Sequence, residues 1–395
     1  MRIIALLLLL LPITITPTSA DPLGDAVSDF GYEYFRSLDT EETDTAVSPL
    51  SIHAAFALLT LGSSGETRNE AEKVLRVSDA EIRRYQTFME RLKPENDPLS
   101  LACRLFPSDN LELSQDYLQA SKASFGAAPQ NLNYSDPATA RQTINKWVSD
   151  NTEKLIEELI PPNGINQSTE LVLANALYFK GRWQEPFSER KTRPGTFHSP
   201  SGDLEVPMMS SDLSYALYHT DKTLHAVSLP YADSNLAMAF VMPLDKGNWS
   251  ATQKRLGPEL LGQLERSSRE NGNYDFPLPK VQVTIPKFKV SQDSQPIPLL
   301  KSLGLDRLLG SAPQLARLST NAAGLQVTDC FHQAVVEVDE KGTKAAAATA
   351  ITMSRSMPQL LANVIIDRPF FFVIYDRESS APLFIGSVSN PRQEK

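Results

Sequence analysis

Chemistry in this chain would have to come from five histidines, two cysteines and carboxylates scattered along its length. His53, His198, His219, His225 and His332 include no His-Glu-x-x-His pair, the spacing that turns two imidazoles toward zinc from one helical face. Gly62-Ser63-Ser64-Gly65 lacks the Gly-x-Ser-x-Gly spacing of a nucleophile elbow, and it closes a helix instead of following a strand. No Gly-x-x-x-x-Gly-Lys loop and no Gly-x-Gly-x-x-Gly fingerprint offers backbone amides to a phosphate. Cys103 and Cys330 are too few for a disulfide scaffold, and the sequence leaves open whether they pair; neither is read as catalytic. An enzyme is not expected, and no metal or cofactor is implied.

A side chain can also offer itself to be cut. Ile351-Thr352-Met353-Ser354-Arg355-Ser356-Met357-Pro358 is a polar, accessible stretch holding an Arg-Ser bond. An arginine before the scissile bond puts a cation into the acidic specificity pocket of a trypsin-like enzyme. Cleavage at Ser356-Met357 would instead suit an elastase-like pocket, and Met357-Pro358 is disfavoured because proline hinders attack. Directly upstream, Glu340-Lys341-Gly342-Thr343-Lys344-Ala345-Ala346-Ala347-Ala348-Thr349-Ala350 follows a strand expected over residues 335–338. Gly342 permits an unusual backbone angle there. Alanine favours helix by propensity. With period two, however, one face is Thr343, Ala345, Ala347, Thr349, Ile351 and Met353, and the other is Lys344, Ala346, Ala348 and Ala350. That alternation suits a strand with one face buried. Small side chains let such a strand pass between two neighbours.

The elements that must position these residues are readable in outline. Ser48-Pro49 supplies an N-cap and a proline at the first helical position, and Gly62 follows the helix end. Residues between them are apolar on every side, the mark of a buried helix. Amphipathic helices are expected near residues 26–37, 67–76, 80–93, 114–125 and 138–159. Leu171–Phe179 and Leu236–Pro243 are near-continuous apolar runs, as in strands covered on both faces. Further strands are expected over 281–290, 331–338, 363–366, 369–375 and 383–388. No repeat or linker divides the chain, which reads as one large α+β domain.

Composition agrees with a globular product. The 395 residues are 41% hydrophobic and 22% charged, which excludes disorder and collagen-like fibres. A net charge of −9 offers no basic stripe for nucleic acid. Residues 1–20 read as a signal peptide: Met1-Arg2, an apolar run from Ile3, and small residues at the third-last and last positions, Thr18 and Ala20, before Asp21. No later apolar segment is long enough to span a membrane. Asn133, Asn166 and Asn248 head three glycosylation sequons, in keeping with a secreted, extracellular protein. Arg83, Arg84, Arg91 and Lys93 lie among Asp79, Glu81, Glu90 and Glu95, so that region reads as a solvated mixed-charge face and not a sulfated-sugar site.

The ordered motifs resemble those of the serpins, from about residue 25 to the end. They are Ser48-Pro49-Leu50-Ser51-Ile52, Leu61-Gly62-Ser63-Ser64-Gly65-Glu66-Thr67, Ile144-Asn145-Lys146-Trp147-Val148 and Leu173-Ala174-Asn175-Ala176-Leu177-Tyr178-Phe179-Lys180-Gly181-Arg182-Trp183. Pro286-Lys287-Phe288 and Asp367-Arg368-Pro369-Phe370 follow. The resemblance implies a single serpin domain over residues 21–395, with a large central sheet, further sheets, surrounding helices and an exposed reactive-centre loop at about 340–362. It implies a monomeric inhibitor that forms a covalent 1:1 complex with a serine protease, with no nucleic acid or membrane partner. Glu340, Gly342, Thr343, Ala345, Ala346, Ala347, Ala348 and Thr349 match the hinge of inhibitory members. Bulky or charged residues there mark non-inhibitory ones, which serve as carriers, storage proteins or chaperones. Lys344 departs from the acidic residue common at its position. Ser48, Ser51, Asn175 and His332 match a cluster that controls sheet opening, and Trp183 matches the tryptophan where insertion begins. Family counting from Glu340 puts the bait residue at Ser356; the pocket chemistry favours Arg355.

Overall fold

The computed structural model describes residues 21–96, 99–270, 280–321, 325–327, 329–343 and 360–392. Its centre is the helix opened by Ser48. The helices in chain order are α1 (Pro22–Arg36), α2 (Pro49–Gly62), α3 (Gly65–Leu75), α4 (Asp79–Ile82), α5 (Tyr85–Leu92), α6 (Gln115–Phe125), α7 (Pro137–Asn151), α8 (Trp249–Arg255), α9 (Pro258–Glu270) and α10 (Ile297–Ser302). Every residue of α2 is buried, and the Ser48 hydroxyl caps it by accepting from the Ser51 amide at 3.3 Å. The helix is apolar all round because it is surrounded all round: α1, α3 and α6 pack beside it, with a sheet on either side.

The first sheet has the strand order β2 (Leu99–Pro107), β3 (Leu171–Phe179), β12 (Asp329–Asp339), β13 (Gly342–Thr343), β4 (Gly181–Arg182), and β11 (Phe288–Ser294) pairs with the far side of β12. β2 runs antiparallel to β3, while β3 and β12 are parallel. A second sheet orders β1 (Thr45–Val47), β16 (Pro382–Val388), β15 (Phe370–Asp376), β9 (Leu236–Pro243), β8 (Leu224–Pro230) and β7 (Leu217–Thr220). A third orders β14 (Leu360–Ile365), β10 (Lys280–Pro286), β6 (Gly202–Leu213) and β5 (Arg193–Ser199). α7 crosses the outer face of the first sheet, where Ile144 and Val148 join a separate apolar cluster with Ala174, Ala176 and Phe331.

The expected elements differ from these in three places. The single strand expected over 281–290 is two strands in different sheets. Pro286 has no amide for a continuing ladder, and Lys287 donates instead to Pro207 at 2.9 Å, where the chain changes sheet. The helix expected over 138–159 stops at Asn151. Glu153 and Lys154 both take positive φ (49° and 62°), and Asn145 binds the turned-back chain by accepting from the amides of Leu159 and Ile160. The helix expected over 80–93 is split into α4 and α5 around Arg83-Arg84. Strands β2 and β5 to β8 were not anticipated.

Candidate functional site at the seam of the central sheet

The parallel joint between β3 and β12 is short. Asp329 to Gln333 pair with Val172 to Ala176, and His332 stands opposite Asn175. Beneath them α2 presents Ser48 and Ser51, so four polar residues meet with no more than 1% exposure each. The Ser48 amide donates to His332 Nε2 at 3.1 Å, so that nitrogen is unprotonated and the proton sits on Nδ1. Nδ1 donates to Asn175 Oδ1 at 2.9 Å, with Ser51 Oγ at 3.3 Å. Asn175 Nδ2 donates to the Ser51 carbonyl at 3.3 Å, and Ser51 Oγ to the Ser48 carbonyl at 3.1 Å. Burial pushes the His332 imidazole down to about 3, so it stays neutral. The cluster therefore buttons the two strands together and ties both to the start of α2.

Beyond Gln333 the two strands no longer pair with each other. The space is entered by Gly342 and Thr343, which form β13 between β12 and β4. On one side Thr343 pairs with Val338 and Gly342 with Asp339; on the other Thr343 pairs with Gly181 and Gly342 with Arg182. Asp339 turns the chain by accepting from the amides of Lys341 (2.8 Å) and Gly342 (3.2 Å). Gly342 has φ 148°, and a Cβ there would lie 2.0 Å from the Gly181 carbonyl oxygen, so only glycine fits. Thr343 is buried, with its hydroxyl 2.7 Å from that of Tyr231.

Trp183 closes the entrance. Its indole stacks on Tyr231 (4.7 Å, 13°), its Nε1 donates to the Asp339 carbonyl at 3.0 Å, and its amide donates to Lys341 at 2.9 Å. Glu340 is pinned by Lys287 Nζ at 2.8 Å and Thr192 Oγ1 at 2.7 Å. Burial raises its carboxyl, but these hydrogen bonds outweigh the burial and hold it below the usual carboxylate range.

Other expected site residues fall elsewhere. Ala345, Ala346, Ala347, Ala348, Thr349, Arg355, Ser356 and Met357, and residues 1–20, lie outside the described residues. Asn133 and Asn166 are exposed in loops; Asn248 is half-buried at the start of α8. No disulfide joins Cys103 and Cys330; both are buried, on β2 and β12, with β3 between them. Tyr231 and Thr192 were not anticipated, because each reaches the hinge from a distant stretch of chain and no local spacing marks it; Asp339 was not singled out, and Lys287 was noted only within the motif Pro286-Lys287-Phe288.

This architecture, with its buried helix and a hinge entering a parked seam, defines a family. The family model described as serpin (serine protease inhibitor) matches residues 25–391, and the chain belongs to the serpin family. A serine protease inhibitor of Cyanea capillata is 33% identical over 380 residues, covering 92% of this chain and 97% of its own. Human glycosylated kallistatin superposes with a TM-score of 0.81 at 26% identity, covering 95% of this chain and 98% of its own. Human thyroxine-binding globulin also gives 0.81, at 25% identity, with 94% and 99% coverage. Serpins are mostly protease inhibitors that form covalent complexes with their targets, but some, thyroxine-binding globulin among them, are non-inhibitory. Among the described residues no helix is long and apolar enough to cross a membrane.

Proposed function

We propose that this chain is a secreted, glycosylated inhibitor of trypsin-like serine proteases, which it traps during cleavage of its own loop. The protease serine attacks the Arg355 carbonyl, the bond to Ser356 breaks, and the Ser356 amine leaves, so that Arg355 is held as an ester on the enzyme. Before water can hydrolyse that ester, the hinge continues into the sheet and drags the enzyme with it.

One observation carries the reading. β13 already has two registers, and both can be extended along the sequence. On the β12 side, Thr343 opposite Val338 puts Ala345 opposite Val336, Ala347 opposite Ala334 and Thr349 opposite His332. On the β4 side, Thr343 opposite Gly181 leads down β3 and puts Thr349 opposite Asn175. His332 and Asn175 are partners in the present joint. The two registers agree with the present joint, and continuing either one brings one hydroxyl residue between the two polar side chains that insertion must separate. Buried polar groups need partners, and Thr349 supplies one to the opened cluster. The inward residues above it, Ala345 and Ala347, are small, so little bulk resists passage.

Arg355 as bait supports a trypsin-like target, and Ser356 as bait would support an elastase-like one. The apolar leader over residues 1–20 and the exposed Asn133 and Asn166 support export with glycan. The test is thermal unfolding before and after proteolytic nicking of the loop. Insertion makes the nicked protein melt at a sharply higher temperature. An unchanged melting temperature would place the chain with the non-inhibitory members.

A further inference from the structure

Two large apolar side chains stand exposed among the described residues, Tyr215 (47%) and Ile365 (41%). The place of Tyr215 in the fold sets it apart. β6 runs antiparallel to β10, and β10 runs parallel to β14, so β6 ends at the side of the third sheet where β14 begins. Leu213, the last residue of β6, pairs with Val281, and Val281 with Ala362. Two strand spacings, about 10 Å, separate these strand ends, and Tyr215 follows two residues after Leu213. An exposed tyrosine in a turn is ordinarily loose, but this turn is clamped. The amides of Ser214 and Tyr215 both donate to Glu185 Oε2, at 2.6 and 2.9 Å. Glu185 belongs to a stretch fastened to the hinge: the Trp183 amide donates to the Lys341 carbonyl at 2.9 Å, and the Phe187 amide to the Glu340 carbonyl at 2.8 Å. Tyr215 is thus tied to one root of the loop, at Glu340-Lys341, and stands beside the other, at Leu360.

We infer that Tyr215 is a specificity residue, its ring seating in a shallow apolar hollow on the leaving-group side of a trypsin-like protease's cleft. This rests on the proposed function only in that the loop is what the protease takes. Chain length places the enzyme. Arg355 precedes Leu360 by five residues and Ser356 by four, so with either as bait the cut bond lies within roughly 17 Å of Leu360. A protease–inhibitor interface covers about 800 Å² of each partner, a patch about 30 Å across. A patch of that width beside Leu360 takes in Tyr215. The residues from the cut bond to Leu360 follow the amine that leaves, so the enzyme turns that side of its cleft toward Tyr215. Tyrosine suits such a contact, because its ring is large and stiff and its hydroxyl tolerates water. The Glu185 clamp lowers the cost of ordering the turn on contact. Proteases that share an acidic pocket differ in what they present beside it, and Tyr215 discriminates among them there.

The experiment measures the second-order rate at which bovine trypsin consumes the intact loop of the full chain, whether the product is a trapped complex or a nicked chain. Tyr215→Ser should lower that rate about tenfold, and Tyr215→Phe, which keeps the ring, should stay near the parent. The fraction of trypsin trapped per loop cut should be the same in all three, since the contact acts before the bond breaks. A synthetic peptide spanning residues 350–362 should be cut far more slowly than the parent's loop and no faster than that of Tyr215→Ser. Equal rates for parent and Tyr215→Ser overturn the contact. A changed trapped fraction in Tyr215→Ser, or a lowered melting temperature, would show the residue serving the hinge through Glu185 and also overturn it. If the parent is cut and traps nothing, the inhibitory reading fails, while the three cleavage rates still decide the contact.

Discussion

His332 spends its whole hydrogen-bonding capacity as a neutral ring, accepting from Ser48 and donating to Asn175. Burial lowers its pKa from 6.5 to about 3. His53, bonded to Tyr85 and donating to the Leu75 carbonyl at 2.8 Å, is likewise lowered by burial to about 4. A group whose folded pKa is depressed binds its proton more readily in the unfolded chain. Its contribution is therefore complete above 6.5 and is lost as the pH falls toward the folded value. The uncleaved protein should unfold at lower urea concentration at pH 5 than at pH 7. His332→Gln should reduce that difference, leaving the share due to His53; an undiminished difference would contradict the assignment. Gly342 gives a second prediction. In Gly342→Ala the methyl group meets the Gly181 oxygen and the positive φ adds about 1–2 kcal/mol. The hinge should leave its slot, exposing Trp183 and shifting its emission to the red, and an unshifted spectrum would show that the slot tolerates a side chain. Ser48, Ser51 and Asn175 could be picked out in the sequence because each sits in a recognisable local motif, and His332 only by its match to the family. Tyr231 was not, because what makes it matter is a cross-sheet contact with Thr343, and the Pro286-Lys287-Phe288 motif did not reveal the Lys287 contact with Glu340.

At the level of elements, strands covered on both faces read best. Leu171–Phe179 and Leu236–Pro243 match the apolar runs end to end, since burial on two sides leaves Asn175 as the single polar interruption of the two. Elements that turn without a glycine read worst. Ile82, Tyr85, Phe88 and Leu92 keep one buried face across the break at Arg83-Arg84, so periodicity passes straight through it. The apolar Leu155, Ile156 and Leu159 continue the α7 pattern past the point where two left-handed residues end the helix. In the basic stretch itself, Arg83 pairs with Asp79 at 3.3 Å, and Arg91 with Asp21, Asp376 and Glu378 at 2.7 to 3.1 Å. Most bears on function the short β13, which propensity alone would not assign to a strand. Its register predicts that Thr343→Arg, which forces a guanidinium into the slot beside Tyr231, stops insertion at its first step. The variant should be cut by trypsin at the parent's rate yet release it active. Unchanged stoichiometric inhibition by the variant would refute the role given to the hinge.

The whole molecule holds a sheet in an unfinished state. Below the joint at His332, β3 and β12 are paired; above it they are parted by two residues of a strand whose continuation lies in the sequence that follows. α2 ties both halves to a core on which the rest of the chain packs, so opening the seam trades one buried cluster for a longer ladder. Under the proposed function, completing that ladder supplies the work of trapping a protease that has first cut the loop. The direct test mixes the purified protein with trypsin, separates the products on a denaturing gel, and weighs the released C-terminal peptide. A band near the summed masses with a peptide beginning at Ser356 is the predicted result; a peptide beginning at Met357 keeps the trap and moves the bait to Ser356. Complete cleavage with no covalent band, and with no rise in melting temperature, would contradict the account.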